Sequence, residues 1–443
     1  MDLWAYAAIS SKLKPATYHV VTDEPTPAQP DNSTPVNPDD SSAPVAAGSP
    51  AGAVAAASSP GDMASQVVLG FLLGHYGFKR YKSPDPKDLT PGKAKLVWPA
   101  GCDRRITSLA SAFFLARDLI NTPAEDMGPQ HLVAEAQALG EKHGAVVKVL
   151  QGDELLEQNF PAIHTVGRAS YRPPALIDLR WSPPGCADKS SLPRLSLVGK
   201  GVCFDSGGLD IKTAAGMKNM KLDMGGAAFV LSLSHVVMSY ALPVQLRVLV
   251  PTVENSISGN AYRPLDVLAT RAGITVENGN TDAEGRLILA DALFEAASER
   301  PDLLVDAATL TGAARVALGP DLPGIFSSDD AVWSALCQAA ADQADPVWRL
   351  PLHQPYRKFL DSKVADISST GGEGLGGAIT AALFLKEFVK EAPRWIHMDT
   401  NAWMNSGNAG PGKPEGGEAV ALRAFWKLLQ NRYPTPAAEA EAA

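Results

Sequence analysis

The chain has 443 residues, 45% of them hydrophobic, which suits two domains with a sizeable buried core and excludes a fibrous or wholly disordered protein. Lys and Arg number 39 against 48 Asp and Glu, a formal net charge of -9, and an acidic surface disfavours phosphate backbones, so nucleic acid is not an expected partner. Four cysteines (Cys102, Cys186, Cys203, Cys337) lie too far apart in sequence for a metal knuckle, a redox pair or a disulfide scaffold, which points to reduced thiols and a cytoplasmic location.

The N-terminus, MDLWAYAAISSKLKPATYHVV, lacks a basic start followed by an apolar core, so no secretory signal is expected. No run of about 20 apolar residues predicts a transmembrane helix. YHVVTDE reads as one short strand. Residues 25–60 set Pro25, Pro27, Pro30, Pro35, Pro38, Pro44, Pro50 and Pro60 among Ala, Ser, Asp and Gly, a composition with too few large apolar side chains to offset the entropy of ordering. They read as a flexible linker. Val67, Leu69, Leu72 and Leu73 give residues 64–78 helical spacing. We therefore expect a small, reduced N-terminal α/β region over residues 1–103.

From residue 104 the texture changes. ITSLASAFFLARDLI (106–120) is an amphipathic helix stopped by Asn121-Thr122-Pro123, and a second helix covers 131–143. Apolar β-rich runs follow at 145–150, 174–181, 194–200, 244–251 and 302–310, with helical runs at 227–242 and 287–299 between them. The alternation predicts an α/β domain over 104–443, with a mixed, largely parallel sheet flanked by helices. Ligand sites in such folds gather at the carboxyl ends of strands.

Two passages carry candidate chemistry. In the first, a strand runs into GVCFDSGGLDIKTAAGMKNMKLDMGGAA (201–228), which holds Asp205, Asp210, Lys212 and Asp223 among six glycines and follows Lys200. Its lysine precedes the glycines, so it is not a Walker loop; an ordinary solvated, glycine-rich turn is the alternative. In the second, NGNTDAEGRLILADAL (278–293), Asp282, Glu284 and Arg286 occupy a strand-to-helix turn. Helix capping explains acids there, but two carboxylates two residues apart also suit one cation. Taken together, Asp205, Asp223, Asp282 and Glu284 are expected at strand ends of one sheet, where crowded carboxylates need neutralising cations. Two divalent ions sharing carboxylates would then serve metal-assisted hydrolysis. No HExxH occurs and no histidine falls in either passage, which argues against a histidine-based zinc site.

VGKGVCFDSGGLDIK, MKLDMGGAA and NTDAEGRL resemble the signature passages of the leucyl aminopeptidase family (family M17, the dinuclear-metal cytosolic aminopeptidases), and the resemblance extends over roughly 104–443, including DAATLTGAA and GGAITAALFLKEFV. It implies a metallo-exopeptidase acting on peptide substrates, with two ions per subunit (Mn²⁺ or Zn²⁺, with Mg²⁺ also compatible) and a bicarbonate, assembled as a homohexamer. Lys200 matches a lysine whose amine ligates one metal, Asp205 and Glu284 match bridging carboxylates, and Asp223 and Asp282 match ligands of one metal each. Lys212 matches the lysine on the substrate carbonyl and oxyanion, and Arg286 the arginine that anchors bicarbonate as proton shuttle. Thr309, Leu310 and Gly312 match positions lining the substrate cleft, and Met220 and Met404 the pocket for the first side chain. Asn401 stands where many members carry a small residue in that pocket, and a polar amide there is expected to narrow the pocket or disfavour leucine. The N-terminal region is shorter than the family's usual compact domain. A DNA-binding architectural role and a cysteinylglycine dipeptidase activity are the alternatives.

Overall fold

The computed structural model of the chain describes residues 3–10, 12–13, 16–19, 60–84, 94–99, 102–186, 188–371, 374–407, 409 and 413–435. The proline-rich stretch 25–60 lies, apart from its last residue, outside them. The strands in chain order are β1 Thr17–His19, β2 Lys95–Val97, β3 Val146–Gln151, β4 Ala175–Trp181, β5 Arg194–Gly199, β6 Gly201–Asp205, β7 Gln245–Asn255, β8 Val267–Ala269, β9 Thr275–Glu277, β10 Leu303–Ala308, β11 Gly324–Ser327, β12 Trp348–Arg349, β13 Ile367–Ser368, β14 Trp395–Asp399, β15 Trp403–Met404 and β16 Gly416–Gly417.

Nine of these form one sheet in the order β12-β11-β14-β10-β5-β7-β4-β3, with β6 following β5 along β7. Its centre, β14-β10-β5-β7, is parallel. Strands β3, β4 and β11 enter antiparallel. This is the mixed, largely parallel α/β sheet that the sequence predicts, and burial on both faces is what makes its strands near-continuous apolar runs. In β10, Leu303, Val305 and Ala307 join one core while Leu304 and Ala308 join the other. The first core holds the helices Ile106–Asn121, Gly225–Ser239 and Leu422–Arg432; the second holds Glu284–Ser298 and Gly377–Lys386. Each fully buried Leu or Val in these layers contributes on the order of 1.5–3 kcal/mol.

Several elements differ from the sequence expectation. The helix expected over 64–78 is Pro60–Leu73, because the chain leaves the helical ladder at Gly74, whose N–H still reaches the Gly70 carbonyl. Its Ala64, Val68, Leu69 and Leu73, together with Leu3 and Ala7, pack into the same core as the Ile106–Asn121 helix. The stretch Met220–Ser239 is long and apolar enough by composition to cross a membrane, where the sequence reading expected none; its hydrophobicity belongs to a helix buried inside the protein. Finally, β9 is not part of the main sheet. It sits in a separate three-stranded sheet, β13-β9-β8.

On the Gly225–Ser239 helix, the buried His235 places Nδ1 2.8 Å from His143 Nε2. Two imidazolium rings cannot face each other so closely, and burial pushes the His235 pKa down to about 4. A folded-state value below the usual 6.5 means the stability is present above pH 6.5 and is lost as pH falls from 6.5 towards 4. His235→Asn should therefore shrink the fall in melting temperature between pH 7 and pH 5 by about 2 °C, read by circular dichroism.

Candidate metal centre

The carboxyl ends of β5 and β6 are where the first passage turns inward. Lys200 is the single residue between the two strands. Its N–H donates to the Ala307 carbonyl and its carbonyl accepts from Ala227, so the backbone is fixed on both sides and the side chain enters the interior. There Nζ lies 2.8 Å from Asp223 and 2.9 Å from Glu284 Oε1, and donates to the Thr309 carbonyl at 2.9 Å. A Cβ on Gly285 would stand 2.5 Å from Lys200 Cε, so that glycine leaves room for the amine. Gly226 allows the helix to lie directly on β10, since a Cβ there would meet the Ala307 carbonyl oxygen at 2.0 Å.

Asp205 ends β6, and its Oδ1 accepts from the Gly207 N–H at 2.9 Å and from Asn255 Nδ2 at 2.8 Å. Its Oδ2 lies 2.8 Å from Lys212 Nζ, which also pairs with Asp282. Gly207 and Gly208 adopt φ of 88° and 65° in the turn that brings Lys212 back over the strand end. Asp223 follows in the short turn Met220–Met224, where Thr309 Oγ1 donates to it at 2.8 Å. Glu284 is the first residue of the helix Glu284–Ser298, and Asp282 precedes it in the turn Thr281–Ala283.

The expectation that all four acids stand at strand ends of one sheet is therefore corrected. Asp205 alone ends a strand of the main sheet; Asp223 sits in a turn, and Asp282 and Glu284 follow β9 of the small sheet. Tertiary contacts unite them. Thr281 donates its N–H to Asp210 Oδ2 at 2.7 Å and its hydroxyl to the Gly207 carbonyl at 2.6 Å, which latches the second passage onto the first. Asn255, at the end of β7, is a residue the sequence reading missed: it spans Asp205 and the Thr281 carbonyl. Its signal was its place at the carboxyl end of a central strand. Asp399, at the end of β14, was missed likewise; it accepts from the N–H groups of Leu310 and Thr311 and holds that loop.

Carboxylate oxygens of Asp205, Asp223 and Glu284 lie within 4.8 Å of one another, all buried. Burial and the neighbouring Glu284 push Asp205 up to about 7, and burial drives Asp223 up as well. Burial opposes the charges of Lys200 and Lys212, but the surrounding carboxylates hold both above the usual lysine range. Counted as ionised, four carboxylates exceed the two ammonium groups by two formal negative charges in a largely buried pocket, and that excess is part of what drives Asp205 and Asp223 up. An oxygen-rich donor set with one amine and surplus negative charge fits divalent cations.

A cavity of about 600 Å³ opens over this cluster. It is lined by Lys200, Asp205, Lys212, Asp223, Asp282 and Glu284, and also by Met220, Thr309, Leu310, Gly312 and Asn401. Met404 does not line it. Side chains alternate along β15, so Trp403 faces the cavity while Met404 is fully buried behind it. Asn401 Nδ2 donates to the Trp403 carbonyl at 2.6 Å. Arg286 lines a separate neighbouring cavity of about 280 Å³ with Asn280, Thr370 and Thr380. Its Nη1 donates to the Ser369 carbonyl at 2.5 Å, while its buried Nε has no hydrogen-bond partner among the described residues. Burial lowers its pKa to about 10, so it remains cationic at neutral pH. His397 is structural, with Nδ1 2.6 Å from Asp306 and no exposure, and Cys203 is buried with Sγ 3.3 Å from Thr252 Oγ1.

Residues 114–426 match the family model described as the cytosol aminopeptidase family, catalytic domain. The chain is 39% identical over 372 residues to a probable cytosol aminopeptidase of Chlorobaculum tepidum, covering 80% of this chain and 73% of that protein. It is 43% identical over 319 residues to peptidase B of Cronobacter sakazakii, covering 70% and 74%. Among solved structures it resembles the cytosol aminopeptidase of Coxiella burnetii, with a TM-score of 0.83 at 44% identity over 97% of this chain and 84% of that one. It also resembles the bottromycin maturation enzyme BotP in complex with Mn, with a TM-score of 0.77 at 34% identity over 84% and 80%.

Gly285→Ala should force the Lys200 side chain out of the cluster without unfolding the helix. Elemental analysis after reconstitution with Mn²⁺ should then find less metal per chain than in the wild type, at an unchanged far-ultraviolet circular dichroism spectrum.

Proposed function

The chain belongs to the cytosol aminopeptidase family, and on that premise we propose that it removes N-terminal residues from peptides by two-metal hydrolysis at the Lys200–Glu284 cluster. Membership makes it a metal-dependent aminopeptidase, a hydrolase. The observation that carries the reading is the convergence of three buried carboxylates within 4.8 Å, with the Lys200 amine among them.

Lys200, Asp205, Asp223, Asp282 and Glu284 would hold the ions. Two divalent ions of the Mn²⁺ or Zn²⁺ type, with Mg²⁺ also compatible, would supply Lewis acidity, lower the pKa of a water and of the Lys200 amine, and anchor the free α-amine of the peptide. That requirement for a free amine is what makes the activity an exopeptidase. Lys212, held cationic beside Asp205 and Asp282, donates to the carbonyl oxygen as negative charge develops there. No carboxylate of the cluster is left without a cationic or hydrogen-bonding partner to serve as base. Arg286, cationic, with an unpartnered Nε beside its own cavity, is suited to hold a small planar anion, and bicarbonate there would supply a proton acceptor. Thr309, Leu310 and Gly312 form one wall of the peptide site; Met220 and Asn401 face the first side chain, and Met404 supports that pocket from behind Trp403. The proposal extends to a homohexamer and a cytoplasmic location, both carried by likeness to the family.

Chelation should abolish hydrolysis of an amino-acid arylamide and Mn²⁺ should restore it. Glu284→Ala should lower turnover by at least about 10³-fold even at saturating Mn²⁺, since it removes a buried carboxylate that would hold metal; full activity of that variant would overturn the reading. Lys212→Met should lower kcat by about 10²- to 10³-fold with metal content retained, because the lost interaction acts on the transition state.

A further inference from the structure

The cavity over the metal centre is lined by a third cation. Arg315, on the helix Gly312–Leu318, contributes to the same wall as Thr311 and Gly312 and is exposed. Lys200 and Lys212 are each paired with two carboxylates. The Arg315 guanidinium has no ion pair or side-chain hydrogen bond among the described residues, and the acids lining the cavity are those of the central cluster.

Its position follows from helix geometry. Nη2 lies 4.0 Å from the point where a Cβ on Gly312 would stand, so the side chain folds back towards the N-terminal end of its helix. Three residues earlier is Thr309, whose carbonyl accepts from Lys200 and whose hydroxyl donates to Asp223. Three residues of chain span at most about 10 Å. That span sets an upper limit on how far the guanidinium can stand from the centre, it lines the same cavity, and Gly312 presents no side chain between them.

We propose that Arg315 is a carboxylate-binding position of the peptide site, which gives the enzyme a preference for short peptides carrying an anionic group one or two residues beyond the scissile bond. This deepens the aminopeptidase reading and rests on it. The guanidinium fork matches a carboxylate with two parallel N–H···O bonds. The carboxylate comes either from the C-terminus of a di- or tripeptide or from an acidic side chain.

The test compares KM on the Mn²⁺-loaded enzyme for Ala-Leu, Ala-Leu amide and Ala-Asp amide, with alanine p-nitroanilide as reference. In the wild type, KM for the free acid should be about 5- to 10-fold below that for the amide. Arg315→Ala should bring the ratio near one, Arg315→Lys should keep part of the preference, and Arg315→Glu should invert it. Each ratio is internal to its own preparation, so a partly misfolded variant does not distort it. Ala-Asp amide behaving like Ala-Leu supports the inference with either carboxylate as source; Ala-Asp amide behaving like Ala-Leu amide supports it with the C-terminus as source. Equal KM values for acid and amide in the wild type, or the same ratio in Arg315→Ala, would overturn the inference while anilide hydrolysis keeps the aminopeptidase reading intact. A wild-type enzyme inactive on every substrate would overturn both.

Discussion

Surplus negative charge held out of water is the constraint on which the rest of this molecule depends. Asp205, Asp223 and Glu284 are buried within a few ångströms of one another and Asp282 closes the cluster at its exposed side. Carboxylates crowded in this way repel, and two lysines cannot neutralise four of them. The fold tolerates the arrangement because each of the four acids is tied down by donors: Gly207 and Asn255 on Asp205, Thr309 on Asp223, Lys212 on Asp282, Lys200 on Glu284. A site built this way favours cations of high charge.

The architecture serves that constraint through close approach. The Gly225–Ser239 helix lies on the backbone of β10 at Gly226, which sets the turn carrying Asp223 directly over the β5–β6 junction carrying Lys200. Gly285 then lets the helix bearing Glu284 pass the Lys200 side chain. The latch between Thr281 and Asp210 joins loops 71 residues apart in sequence, and Asp399 fixes the 310–311 loop from the end of β14. Each contact limits the freedom of a donor, so the donors are in place before any cation or substrate arrives.

The rim differs in character from the floor. Around the charged cluster the wall is neutral and partly polar, with Asn401, Thr309 and Trp403 beside Met220, and the exposed Arg315 stands beyond them. On the proposed function, the floor would serve what every N-terminus shares, the free amine and the first peptide bond, and the rim what distinguishes one peptide from another.

The residues that the structure gathers into one cluster stood in the sequence within two short passages of unusual composition, Lys200, Asp205, Lys212 and Asp223 in the first and Asp282 and Glu284 in the second, and the alternation of strands and helices is a local property that periodicity reports. Which side chains share the cavity was a matter for tertiary structure. The separate small sheet that delivers Asp282 and Glu284, the spanning role of Asn255, the displacement of Met404 behind Trp403 and the placing of Arg286 in a neighbouring cavity all follow from packing between distant segments. Lys200 and Thr309 meet across 109 residues. Spacing along a chain encodes local conformation, whereas such meetings are fixed only when whole layers of helix and sheet close on their common core.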